Sequence, residues 1–318
     1  MQLIRRVVFV FSAGLTLMSC AALAQTYPVK PIRILTAGTG GGNDVMSRIM
    51  APGLSAGLGQ PVIVENRPTT VLPDAAVRSA PDGYTLMLYS GGLWIQPFLS
   101  QVNYDPIKDF SPITFAARSP LIIVVHPSVP VHSVKDLIDL AKAKPGTLNY
   151  TTGGTGSASH LGPELFKQLT GIDMVRVPYK NGSQEVADLL SGQVQLTFGG
   201  GGTFVSHIKS GKLRAIAVTS SQPSPLFPTL PTVASSGVPG YESTQIYGLF
   251  AQSKVPEAIV RRLNQESVKY LQLEDTKQRV LGAGMEAVGT SPEEFAGVIK
   301  ADMAKWGKLI KDAGIHED

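Results

Sequence analysis

The chain has 318 residues, 43% apolar and 16% charged, with a formal net charge of +4 and a single cysteine. That balance excludes a disordered chain, and the length is right for two lobes rather than one small core. The charges are scattered without a run of five of one sign, so a nucleic-acid-binding face is excluded as well.

Residues 1–24 read as an export signal. Arg5 and Arg6 form a positive start, 7–18 is apolar but too short for a stable membrane anchor, and Ala22-Leu23-Ala24 precedes Gln25 in a small-x-small cleavage pattern. Subtracting Arg5 and Arg6 from +4 leaves +2 for the processed chain. Cys20 falls inside the signal and would be lost on cleavage. The competing processing site is a lipobox, Leu17-Met18-Ser19-Cys20, which would make Cys20 a lipid anchor; Met18 fits it poorly. Both routes place the chain in the bacterial envelope, and the Ala-x-Ala route makes it a free periplasmic protein.

Strand and helix patterns then alternate. A strand is predicted over 32–36, a helix over 44–58 ending near Gly59, a strand over 62–65, a short helix over 74–79 and a strand over 84–89. A second series follows: strand 121–125, helix 134–143 capped by Ser133, strand 148–152, helix 157–169, strand 174–178, helix 184–191, strand 194–198, short helix 204–210 and strand 213–219. Residues 220–240, rich in proline and serine, form a connector. A strand over 246–251 and helices over 256–273, 276–282 and 292–313 finish the chain. The pattern predicts two α/β units, with the last helices cladding one of them.

Two glycine-rich stretches follow predicted strands and open predicted helices. The first is Gly38, Thr39, Gly40, Gly41, Gly42 and Asn43; the second is GGTGSAS, from Gly153 to Ser159. Such a junction presents unpaired amides at the positive end of a helix dipole, which suits a carboxylate or a phosphate. Each loop alone is also what a plain turn looks like, and Asp44 reads as a helix cap. Two such loops on two lobes predict a ligand with two acidic ends.

Other chemistries fit less well. Neither loop carries the Gly-Lys-Ser/Thr of a P-loop, and both miss the third glycine of the dinucleotide fingerprint, although Glu65 does end the strand after the first. No Gly-x-Ser-x-Gly is present, and His160 reads as a first-turn residue bonded to its own loop rather than a base. The remaining histidines lack ligand spacing, so no metal or other cofactor is expected. Trp94 and Trp306 read as packing residues, with Trp94 placed where it could also line a cleft.

Many ordered phrases carry a family resemblance: YPVKPIRIL, GGGNDVMSR, LGQPVIVENRP, APDGYTL, YDPIKDFSPIT, GTGSASHLGPELFKQLTG, VRVPYKNGSQEVADLLSGQVQ, GKLRAIAVTS and PTLPTVASSGVPGYE. Over almost all of the chain after the signal, the sequence resembles the Bug family, the extracytoplasmic solute receptors of tripartite tricarboxylate transporters. The resemblance implies a class II periplasmic-binding-protein fold, a Venus flytrap of two α/β domains, each a mixed sheet flanked by helices. Domain 1 would hold 27–124 and 247–318, and domain 2 would hold 125–246, with crossings near 125–127 and 246–248. It implies a monomer that is not an enzyme. Its ligand would be a dicarboxylate, tricarboxylate, acidic amino acid or aromatic acid, delivered to membrane permease subunits. A receptor that reports to a sensor kinase, or an exported enzyme with a nucleotide-like cofactor, are the alternatives.

The same resemblance implies a ligand site. One carboxylate would meet residues 38–43, the other Thr155, Gly156 and Ser157. Ser90, Gly91, Tyr179, Asn181, Gly199 and Gly200 would complete the cleft, with Lys180 ranked below them. The sequence departs from the family pattern at Thr39, Ala37 and Asn181, and in a shortened segment after Pro68. Ala37 and the run Gly199, Gly200, Gly201 and Gly202 together predict a roomier cleft, suited to a bulkier or aromatic acid.

Overall fold

The structure is a computed structural model that describes residues 27–317. The expected export signal, its cleavage site and Cys20 lie outside these residues. The first lobe begins β1 (Ile32–Thr36), α1 (Gly42–Leu58), β2 (Val62–Asn66), α2 (Leu72–Val77), β3 (Thr85–Ser90) and α3 (Gly92–Ile95). β4 (Phe110–Val125) leads into the second lobe: α4 (Val134–Ala143), β5 (Asn149–Thr152), α5 (Ala158–Thr170), β6 (Val175–Pro178), α6 (Gly182–Ser191), β7 (Leu196–Gly200), α7 (Gly201–Lys209) and β8 (Arg214–Val218). After a long connector the chain returns through β9 (Thr244–Gln252), α8 (Glu257–Leu271), α9 (Glu274–Gly282), β10 (Glu286–Ala287) and α10 (Pro292–Asp312).

The strand order is β2-β1-β3-β9-β4-β7-β5-β6, with β8 and β10 also paired to β4. β1 runs parallel to β2 and β3, and β5 runs parallel to β6 and β7. β4 and β9 are antiparallel to their neighbours and tie the lobes together. β4 pairs with β9 as far as Pro120 opposite Thr244, then with β7 from Leu121 opposite Gly200. The change of partner lies a few residues before the expected crossing at 125–127, and its counterpart at 243–244 a few residues before 246–248. Thr219 spans both crossings: its hydroxyl oxygen accepts the Leu121 amide at 2.8 Å and lies 2.6 Å from the Ser243 carbonyl oxygen.

Packing follows from periodicity. Met46, Met50, Leu54 and Leu58 recur every fourth residue on α1 and are buried against Ile32 and Ile34 of β1. Leu35 points to the opposite face and joins Trp94, Phe250 and Phe295 in a second cluster. That cluster continues into the second lobe through Tyr150, Phe166, Phe198 and Tyr241. Ser133 caps α4 by accepting the Asp136 amide, as its position predicts. A full capping box of Ser291 and Glu294 starts α10. Among the described residues, no helix is long and apolar enough to cross a membrane.

Candidate functional site

A cavity of about 400 Å³ lies between the lobes. From the first lobe come Thr69, Tyr89, Ser90, Gly91, Gly92 and Gln96; from the second come residues 154–158. Thr244, Gln245 and Ile246 of the linking ribbon form its back, and Asp302 and Trp306 of α10 close one side. Five of the residues expected at the site are therefore together: Ser90, Gly91, Thr155, Gly156 and Ser157.

The loop between β5 and α5 is built largely by its own hydrogen bonds. The Gly153 amide donates to Ser159 Oγ at 3.0 Å, the Ser157 amide to the Gly154 carbonyl at 3.1 Å, and the Gly156 amide to His160 Nδ1 at 3.2 Å. Gly156 has φ +76°, a conformation that a Cβ disfavours. The amides of Ala158 and Ser159, at the start of the helix, have no acceptor among the described residues. Unpaired amides at a helix start are the geometry that suits an anion. Burial pushes the His160 pKa down to about 4, and the Arg176 charge assists. His160 is thus a neutral loop support, as its position predicts.

The loop between β1 and α1 is organised by Asp44. Its carboxylate accepts the Gly40 amide at 3.0 Å, Arg48 Nε at 3.0 Å and Asn66 Nδ2 at 2.8 Å. Burial opposes ionisation of Asp44, but these bonds and the Arg48 charge outweigh it and hold its pKa at about 2. Among the described residues, the amides of Gly42, Asn43 and Asp44 have no acceptor, and Asn43 Oδ1 is buried without a partner. A Cβ at Gly42 would stand 2.2 Å from the Tyr247 hydroxyl, so only glycine fits beneath that ring. Tyr247 pairs with Ser90 across the ladder, which brings this loop beside the cavity. Residues 38–43 themselves do not line it.

The remaining expected contacts are engaged elsewhere. Tyr179 donates its hydroxyl to Asp188 at 2.8 Å, and burial followed by that carboxylate raises its pKa to about 12. Asn181 caps α6 by accepting the Ser183 amide at 2.9 Å. Gly200 caps α7 and lies open. Packing accounts for three of the five residues behind the argument for a roomier cleft: Ala37 is buried in the core, and a Cβ at Gly199 or Gly201 would strike the rings of Phe204 and Phe227 at 2.3 and 1.9 Å, while Gly200 and Gly202 stand in open space. Gly199 and Gly201 thus make room for aromatic rings of the protein itself.

Sequence reasoning missed several lining residues. Thr69, Gln245 and Leu99 carry no motif. Asp302 accepts the indole N–H groups of both Trp94 and Trp306, each at 2.8 Å, and Lys305 lies 3.4 Å away. Trp94 is fully buried, whereas Trp306 borders the cavity. The i, i+4 spacing of Asp302 and Trp306 on α10 was the available signal. Among the described residues, no group of three or more His, Cys, Asp or Glu side chains could hold a metal ion.

Known proteins share this architecture. Residues 46–315 match the family model described as "Tripartite tricarboxylate transporter family receptor". Protein BugT of Bordetella pertussis is 32% identical over 317 residues, covering 96% of this chain and 95% of BugT. The structure described as R. palustris Rpa4515 with adipate superposes with a TM-score of 0.77 at 33% identity, covering 91% of this chain and 99% of that one. MatC from Rhodopseudomonas palustris with bound malate superposes with a TM-score of 0.73 at 25% identity, covering 89% and 100%. The lobed fold, the inter-lobe cavity and these matches together show that the chain belongs to the Bug-type receptors of the tripartite tricarboxylate transporter family.

Proposed function

We propose that the protein is a periplasmic receptor that captures a small dicarboxylate between its lobes and hands it to the permease subunits of a tripartite tricarboxylate transporter, without chemistry on the ligand. The observation that carries this reading is the inter-lobe cavity, where the unpaired amides opening α5 and the hydroxyls of Thr155 and Ser157 stand opposite Ser90 and Gly91. Neutral donors at a helix start can hold a carboxylate without a buried ion pair. Adipate and malate in the two related structures support a dicarboxylate over a bulkier acid. The 38–43 loop would meet the second carboxylate from beside the cavity once the lobes close further on the ligand.

A thermal-shift screen of the chain lacking residues 1–24 tests the reading, with mono-, di- and tricarboxylates, aromatic acids and nucleotides as ligands. A ligand at about 100 times its Kd stabilises by about 2.7 kcal/mol, which is several degrees here. A shift confined to dicarboxylates is expected. A response to nucleotides alone, or to nothing acidic, would sink it.

A further inference from the structure

Arg176 projects from β6, where it pairs with Tyr150. Its Nε donates to Thr152 Oγ1 at 3.0 Å and its Nη2 to Thr155 Oγ1 at 3.3 Å. The side chain is part-buried, and no carboxylate among the described residues pairs with it. The acids of this region are committed to other donors. Glu164 accepts the Tyr150 hydroxyl and Lys167, and Glu185 accepts Thr151 and Thr197. A half-desolvated guanidinium without a counter-ion is costly, and it is attracted to any anion brought near it. Arg176 lies outside both glycine loops, in the stretch VRVPYKNGSQEVADLLSGQVQ.

Thr155 connects this charge to the cavity, which it lines. Because its oxygen already accepts from Arg176, its own O–H proton is free to be donated elsewhere. We propose that Arg176 is a positioning residue that makes the β5–α5 loop select an anion: it orients the Thr155 hydroxyl toward the ligand and supplies the positive charge that the cavity wall lacks. The inference rests on the receptor reading above and assigns the origin of its charge selectivity.

The test is calorimetric titration of the wild-type chain, Arg176→Gln and Arg176→Lys with succinate, malate and adipate, repeated at low and high NaCl. For the tightest of the three, Arg176→Gln is expected to raise Kd tenfold or more, as for loss of a hydrogen bond to a charged group. Arg176→Lys should recover most of that loss. The salt dependence of binding should be flatter in the glutamine variant than in the wild type. Thermal unfolding of each variant without ligand checks that the fold is kept. Equal weakening by both substitutions, or an unchanged affinity in Arg176→Gln, would overturn the inference by reducing Arg176 to a loop support or a bystander. Failure of the wild-type chain to bind any carboxylate would overturn the receptor reading instead.

Discussion

Gly156 of the second lobe faces Leu99 of the first so closely that a methyl group added at position 156 would lie 2.2 Å from Leu99 Cδ1. Both residues line the cavity, one from each lobe. Position 156 therefore answers to two constraints, the space left by Leu99 and its left-handed backbone. Gly156→Ala is expected to weaken dicarboxylate binding and to cost about 1 kcal/mol of stability from the backbone alone. Adding Leu99→Ala should recover part of the lost affinity by removing the clash, without restoring the backbone term. Titration calorimetry on the single and double variants separates the two.

Ser157 tests the donor set directly. Its Oγ lies 3.1 Å from Ser159 Oγ and makes no cap bond to its own helix, so it can turn to a ligand. Ser157→Ala should weaken binding by about 1–2 kcal/mol with little change in unfolding temperature. Unchanged affinity would remove Ser157 from the site.

Thr219 is where the two crossings meet. Thr219→Val keeps its shape but leaves the Leu121 amide and the Ser243 carbonyl without that partner. A loss of about 1–3 kcal/mol of stability is expected in denaturant titrations, because both groups are buried polar atoms where the strands cross between lobes. A neutral effect would mean that water replaces the hydroxyl there.

His160 should leave a signature in acid. Its pKa is about 4 in the fold against 6.5 for the free side chain, so between these values the unfolded chain binds more protons than the folded one. Stability should therefore fall as the pH drops from about 6.5 toward 4. His160→Gln, whose amide oxygen can still accept the Gly156 amide, should flatten unfolding temperature against pH across that window. An identical slope in variant and wild type would show that other groups govern acid sensitivity.

Much of this was legible in the sequence where local chemistry decides. The apolar spacing of α1, the Gly59 that ends it and the Ser133 cap each follow from residues next to one another. β4 was harder. Only 121–125 reads as a strand, because Pro112 and Pro120 sit in the preceding stretch and remove ladder donors. The fold tolerates Pro112 beside a register shift between Pro112 and Thr114. The cavity shows the same division. Glycines announced the Thr155–Ser157 loop, whereas Asp302 and Arg176 acquire their meaning from partners on other elements, Trp94 and Thr155.

The position of β9 carries a consequence for how the molecule assembles. It lies between β3 and β4, inside the first lobe's sheet, yet it begins only at Thr244. Any fragment ending before that residue leaves β3 and β4 with open apolar edges and no strand to join them. The second lobe, by contrast, draws all its strands from one continuous segment. Emerging from a ribosome or a translocation pore, the lobe begun first is thus the one finished last. Until the late strand arrives, the first lobe cannot complete its sheet, and its unpaired strand edges are open to wrong partners.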